Sequence, residues 1–161
     1  KLTKIQLENK GLTIALAAVK YTLLKVDYKK NIIFNPNEAL AFEGDTGPYL
    51  LYSYARANSI IKKSSNKKRV YEISDVNPEE IALVKKIGSF PEIVKRAYDQ
   101  LAPNLIANYS FELAQTFNEF YHAHKVAGSE QEVFRLKLVD AFRKTLKKSL
   151  DLLGIDVLEE M

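Results

Sequence analysis

The chain has 161 residues, 47% hydrophobic and 27% charged, the balance of one well-cored globular domain rather than of a disordered segment. No apolar run approaches the ~18 residues of a membrane span, and the absence of Cys rules out disulfides and thiolate sites, which fits a cytosolic protein. The net charge of +4 is a mild basic excess, compatible with a polyanionic partner without singling one out.

Apolar periodicity predicts helices almost throughout. Residues 3–26 carry Ile14, Ala15, Leu16, Ala17, Ala18, Val19, Leu23 and Leu24, a first helix or a broken pair with Gly11 at the break. No secretory signal opens this stretch, which starts at Lys1 rather than Met. Asn31 to Pro36 reads as a short extended connector.

Gly44-Asp45-Thr46-Gly47-Pro48 is a turn able to start a helix, with Pro48 pre-set for the first helical position. The helix that follows holds Tyr49, Tyr52, Tyr54 and Arg56. Tyr52 and Arg56 are one turn apart and share a face, where an aromatic beside a guanidinium suits stacking on a nucleobase and reaching a phosphate. The competing reading makes this an ordinary amphipathic helix with half-buried tyrosines. Periodicity sends Tyr54 inward with Leu50 and Ala57 and leaves Tyr49 undecided. The helix fades into the basic stretch Lys62 to Arg69, read as a solvated loop or as one facing phosphates.

Asn77 as cap, Pro78 in the first turn and Glu79-Glu80 at the positive end of the dipole announce the next helix, which Gly88 can close. A short helix begins at Pro91, and another runs from near Pro103 to about His122 with Leu105, Tyr109, Leu113, Phe117 and Phe120 as its core stripe. Ser129-Glu130-Gln131-Glu132 has the form of a capping box for the last helix, which Gly154 ends. Its outer face carries Arg143, Lys144, Lys147 and Lys148, suited to steering a polyanion or to solubility. The expected fold class is all-α, a helical bundle.

Catalytic residues are hard to assign. His122 and His124 have no carboxylate pattern or cysteine nearby that would make a metal site, so neither a catalytic nor a metal residue is expected. Gly44 and Gly47 flank Asp45-Thr46 without forming a P-loop or a dinucleotide fingerprint, and no Ser or Thr sits in a nucleophile elbow.

Several segments together carry a resemblance. Ala41 to Leu50, followed by Tyr52 and Ala55-Arg56, resembles the start of the C-terminal domain of arginyl-tRNA synthetases. Asn108-Tyr109, Glu112-Leu113-Ala114 and Phe117-Asn118 to Phe120-Tyr121 are similar to that family's long helix. Asp140-Ala141-Phe142-Arg143 differs by one residue from the Asp-Ala-Leu-Arg motif for which this anticodon-binding fold is named. Leu152-Leu153-Gly154-Ile155, with Met161 as the last residue, matches the family's ending. The likeness spans nearly the whole chain and is weakest over residues 60–100.

The resemblance implies a helical bundle of the class I aminoacyl-tRNA synthetase anticodon-binding type over residues 41–161, preceded by a helical connector over 1–40. The implied partner is the anticodon stem-loop of arginine tRNA, met by Tyr52, Arg56, Tyr121 and Met161, on a monomer without membrane contact. Asp140 and Arg143 are expected to pair with each other rather than read RNA. Neither the His-Ile-Gly-His nor the Lys-Met-Ser-Lys-Ser signature of the class occurs, so the resemblance puts ATP, arginine and the arginine–tRNA ligase chemistry outside these residues and implies no cofactor within them. A free-standing helical RNA-binding or protein-interaction module is the alternative.

Overall fold

Helix starts and stops in this chain follow local chemistry that the tertiary packing then locks. A computed structural model describes residues 3–64 and 76–161; the part of the basic stretch from 65 to 69 lies outside the described residues. Among the described residues there are seven helices and no strand: α1 Lys4–Leu24, α2 Pro36–Ala39, α3 Gly47–Lys63, α4 Pro78–Gly88, α5 Phe90–Gln100, α6 Asn104–Ala123 and α7 Glu132–Leu152. The all-α bundle expected from periodicity is the one observed.

The turn before α3 is built around close approach. Gly44 adopts a φ of 77°, open to glycine at no steric cost. Thr46 caps the helix by accepting the Tyr49 backbone N–H at 3.3 Å, while its hydroxyl donates to the Ala41 carbonyl at 2.6 Å. Gly47 lies against the backbone of α1: a Cβ there would sit 2.3 Å from the Ala17 carbonyl oxygen. Only glycine lets α1 and α3 meet this closely.

Asp45, in the same turn, accepts a hydrogen bond from the Tyr21 hydroxyl at 2.5 Å and pairs with Lys25 at 3.0 Å. Burial, reinforced by the Asp45 carboxylate, pushes the Tyr21 hydroxyl far above the ordinary phenol range, so it remains a neutral donor. Its contact with Asp45, together with a second bond to the Ala107 carbonyl at 3.2 Å, ties α1 to the bundle.

α6 and α7 form the middle of the bundle, with α3 on α7 and α4 and α5 against α6. At their contact Phe117 and Phe142 stack nearly parallel, ring centroids 3.9 Å apart. Leu50, Leu51, Leu113, Phe120, Leu146 and Leu150 complete a fully buried core around them. Tyr54 joins it at 3% exposure, as periodicity required.

One open alternative is settled and one local expectation is overturned. Gly11 does not break α1, which runs unbroken through it. A solvent-facing glycine costs a helix about 1 kcal/mol, less than a capped, docked helix of this length can absorb. The cap comes from Thr3 and Gln6, each accepting the other's backbone N–H. At the other end of the chain, Ser129 and Glu132 form no capping box. The Ser129 hydroxyl donates to the Val126 carbonyl at 3.0 Å, and Glu132 accepts the Gly128 N–H at 3.1 Å. Gly128, at a φ of 72°, makes a tight turn that claims both side chains, and α7 starts later, at Glu132. Pro36–Ala39 forms the short α2 at the end of the segment read as extended.

Candidate nucleic-acid interface

One face of α3 carries Tyr52 and Arg56 outward with Tyr49 half-buried and Ser53 fully buried beside them, and the adjoining face of α6 presents Asn118, Tyr121 and His122. Helical spacing puts each set on one stripe. The C-terminal tail then crosses the seam and brings Met161 to it.

Arg56 is the centre of the arrangement. Its guanidinium lies 4.6 Å from the centroid of the Tyr52 ring and 5.1 Å from that of Tyr121, a cation sandwiched between two aromatics. It donates to the Asn118 side-chain carbonyl at 2.6 Å and to the Tyr52 hydroxyl at 3.0 Å. Asn118 passes the order on, donating to the Tyr49 hydroxyl at 2.7 Å and to Ser53 Oγ at 3.2 Å. The carboxamide that holds Arg56 is thus itself held on α3.

The rings are braced from below. Tyr121 stacks on Phe117 at 6.2 Å, and Phe117 stacks on Phe142 of the Asp140–Arg143 motif. Tyr49, left undecided by periodicity, is half-buried against Phe111 at 5.7 Å and acts as a brace for Asn118. Tyr52, Tyr121 and Met161 keep 41%, 37% and 44% of their surface exposed, so aromatic and thioether surface remains open for a ligand.

Two open grooves meet here. One, of about 570 Å³, is lined by Phe42, Tyr49, Tyr52, Arg56, Asn118 and Met161 among others. The other, of about 510 Å³, is bordered by Tyr52, Arg56, Tyr121 and Met161 with Lys63 at its rim. The four residues singled out from the sequence thus line one groove. Asn118 was missed as a site residue: in Phe117-Asn118-Glu119-Phe120-Tyr121 it is one of two polar positions on an amphipathic helix, and nothing local marks it as the partner of Arg56.

Several charges elsewhere are paired. Asp140 binds Arg143 at 2.8 Å and Lys144 at 2.6 Å, and Lys147 binds Asp151 at 2.9 Å. His124 contacts Glu79 at 3.0 Å, and that hydrogen bond holds the Glu79 carboxyl below its ordinary range. Among the described residues no group of three His, Cys, Asp or Glu side chains is placed to hold a metal ion, and no helix is long and apolar enough to cross a membrane.

Residues 50–161 match the family model of the DALR anticodon binding domain. The chain is 41% identical to an arginine–tRNA ligase of Flavobacterium psychrophilum, covering 92% of this chain and 25% of that protein. It is 42% identical to an arginine–tRNA ligase of Clostridium botulinum, covering 97% of this chain and 29% of that one. Among solved structures, arginyl-tRNA synthetase of Thermus thermophilus superimposes with a TM-score of 0.88 at 36% identity, over 96% of this chain and 28% of that one. The chain therefore spans between a quarter and a third of the length of these relatives.

Proposed function

The chain belongs to the DALR anticodon binding domain family, and from that premise we propose that it binds the anticodon stem-loop of arginine tRNA on behalf of an arginine–tRNA ligase. The observation that carries this reading is the Arg56 guanidinium held between Tyr52 and Tyr121 at the edge of a groove that Met161 borders. RNA loops are read by splaying out unpaired bases and stacking them on aromatic or guanidinium planes. Tyr52 and Tyr121 supply the planes, Arg56 a fixed cation for a base edge or phosphate, and Met161 an adaptable apolar contact.

In this reading ATP and arginine are bound by other parts of the ligase, which would carry the aminoacylation in the cytoplasm. No cofactor is assigned to these residues, and a monomer suffices for the site. Residues 1–40 act as the connector to those parts. The exposed apolar side chains of α1, with Ile5 at 70% and Leu12 at 59%, favour a contact beyond the bundle.

A titration with the anticodon stem-loop hairpin tests the reading. Contacts to about three phosphates give single-stranded RNA a log–log salt slope near −2, so affinity should fall on the order of tenfold between about 50 and 200 mM salt. Saturable binding with that slope is the expected result; no binding at the low-salt end would remove the basis of the proposal.

A further inference from the structure

The route that carries Met161 to the groove runs through a buried carboxamide. Asn58 lies on α3, 4% exposed, facing away from Tyr52 and toward α7 and the tail. Both ends of its side chain are used. Its oxygen accepts a hydrogen bond from Arg143 Nη1 at 3.2 Å, and its nitrogen donates to the Glu159 backbone carbonyl at 3.1 Å. Arg143 is aimed by Asp140, whose Oδ1 accepts from Nη2 at 2.8 Å and from Nε at 3.2 Å. Lys62 reaches the Glu159 carboxylate at 2.9 Å and Lys10 the Glu160 carbonyl at 3.0 Å. Those two lysine contacts are exposed and contribute little individually. Upstream, Ile155 is buried and Val157 and Leu158 pack against the core, so the link through Asn58 is the part-buried polar contact that directs the last residues, from Glu159 onward.

We infer that Asp140, Arg143 and Asn58 form a positioning relay that docks the C-terminal tail and thereby places Met161 against Tyr52, Arg56 and Tyr121. None of the three relay residues borders the grooves at Arg56, so their effect on RNA is transmitted through the tail. The motif thus serves the site twice: Phe142 props the aromatic floor, and Asp140 and Arg143 set the closing residue. The RNA part of this inference rests on the proposed function, whereas the docking of the tail stands without it.

Met161 is the chain's single methionine, so labelling with ¹³C-methyl methionine gives one signal that reports the tail directly. Asn58→Asp keeps the acceptor for Arg143 and removes the donor for Glu159; Asp140→Asn keeps the shape of Asp140 and weakens its hold on Arg143. Without RNA, the methyl signal of the Asn58→Asp chain should sharpen and move to its random-coil position, with circular dichroism unchanged. Asp140→Asn should move it the same way by a smaller amount. A signal unchanged in both variants overturns the relay, and Asp140→Asn alone decides if Asn58→Asp fails to fold.

With the hairpin, Asn58→Asp should weaken binding about tenfold, the equivalent of one to two hydrogen bonds, and by less than about twofold when Met161→Ala is already present. Equal losses in the two backgrounds would overturn the route through the tail. Failure of the unsubstituted chain to bind the hairpin would count against the proposed function alone, because the methyl signal decides the docking by itself.

Discussion

Replacing Glu80 with alanine should lower the unfolding free energy by about 3–5 kcal/mol, the cost of leaving a buried charge without its partner. The Glu80 side chain is completely buried, and Arg135 keeps only 11% of its side-chain surface. Arg135 Nε donates to the carboxylate at 2.7 Å, and Asn77 donates to it through its backbone N–H at 2.8 Å and its side-chain amide at 3.0 Å. The bonded group thus joins the first turn of α4 to α7. Alanine leaves Arg135 with the Lys125 carbonyl at 2.8 Å and a long contact to Gln131 at 3.4 Å. For a chain of this size the melting temperature should fall on the order of 10 °C, read by thermal unfolding. Substituting both Glu80 and Arg135 with methionine should recover much of the loss, because an apolar pair carries no desolvation cost.

The same carboxylate gives stability a pH dependence of known sign. Burial alone would raise its pKa, but hydrogen bonds from Asn77 and Arg135 outweigh that and hold it below the ordinary glutamate value of 4.5. A depressed folded pKa means the contribution is complete above about 4.5 and is lost as the pH falls through the folded value. Glu80→Gln should therefore flatten the acid limb of the stability curve while costing stability at neutral pH.

Tyr52→Ala should weaken stem-loop binding by about 1–3 kcal/mol, the worth of one base–aromatic stack, with little change in helicity. The residue is half-exposed and its ring rests on Arg56 rather than in the core, so folding does not depend on it. A variant that instead lost its helical signal would support the competing view of Tyr52 as a structural side chain. Arg56→Ala should be at least as damaging. It removes the cation between the two rings and leaves the Asn118 oxygen without its donor. Arg56→Lys should restore only part of the affinity, since an ammonium cannot stack as a plane and bond Asn118 and Tyr52 together. Because Tyr52 and Arg56 touch, the double substitution should cost less than the sum of the two.

What could be read in advance depended on whether the determinant was local. Pro48 and Pro78 in first helical turns, Gly154 at a helix end and the inward phase of Tyr54 were legible because propensity and periodicity decide them within a few residues. The role of Tyr52 and Arg56 as one outward pair was legible for the same reason. Ser129 and Glu132 satisfied the form of a capping box, yet the turn at Gly128 used both side chains first. Asn118 and Asn58 were invisible as participants. Their partners lie 62 residues away at Arg56 and 101 residues away at Glu159, and no window of sequence contains both ends of such a bond. The family motif pointed to Asp140 and Arg143 as a pair, but what that pair holds depends on the path of the tail.

The most direct measurement compares the affinity of this chain for arginine tRNA and for an unrelated tRNA at one fixed salt concentration, then repeats it with the anticodon loops exchanged. A site that reads splayed loop bases on Tyr52, Arg56, Tyr121 and Met161 should prefer arginine tRNA by about tenfold or more, one good stack's worth of discrimination. That preference should follow the exchanged loop. Equal affinity for the two tRNAs, or a preference that stays with the tRNA body after the exchange, would contradict anticodon reading by this face.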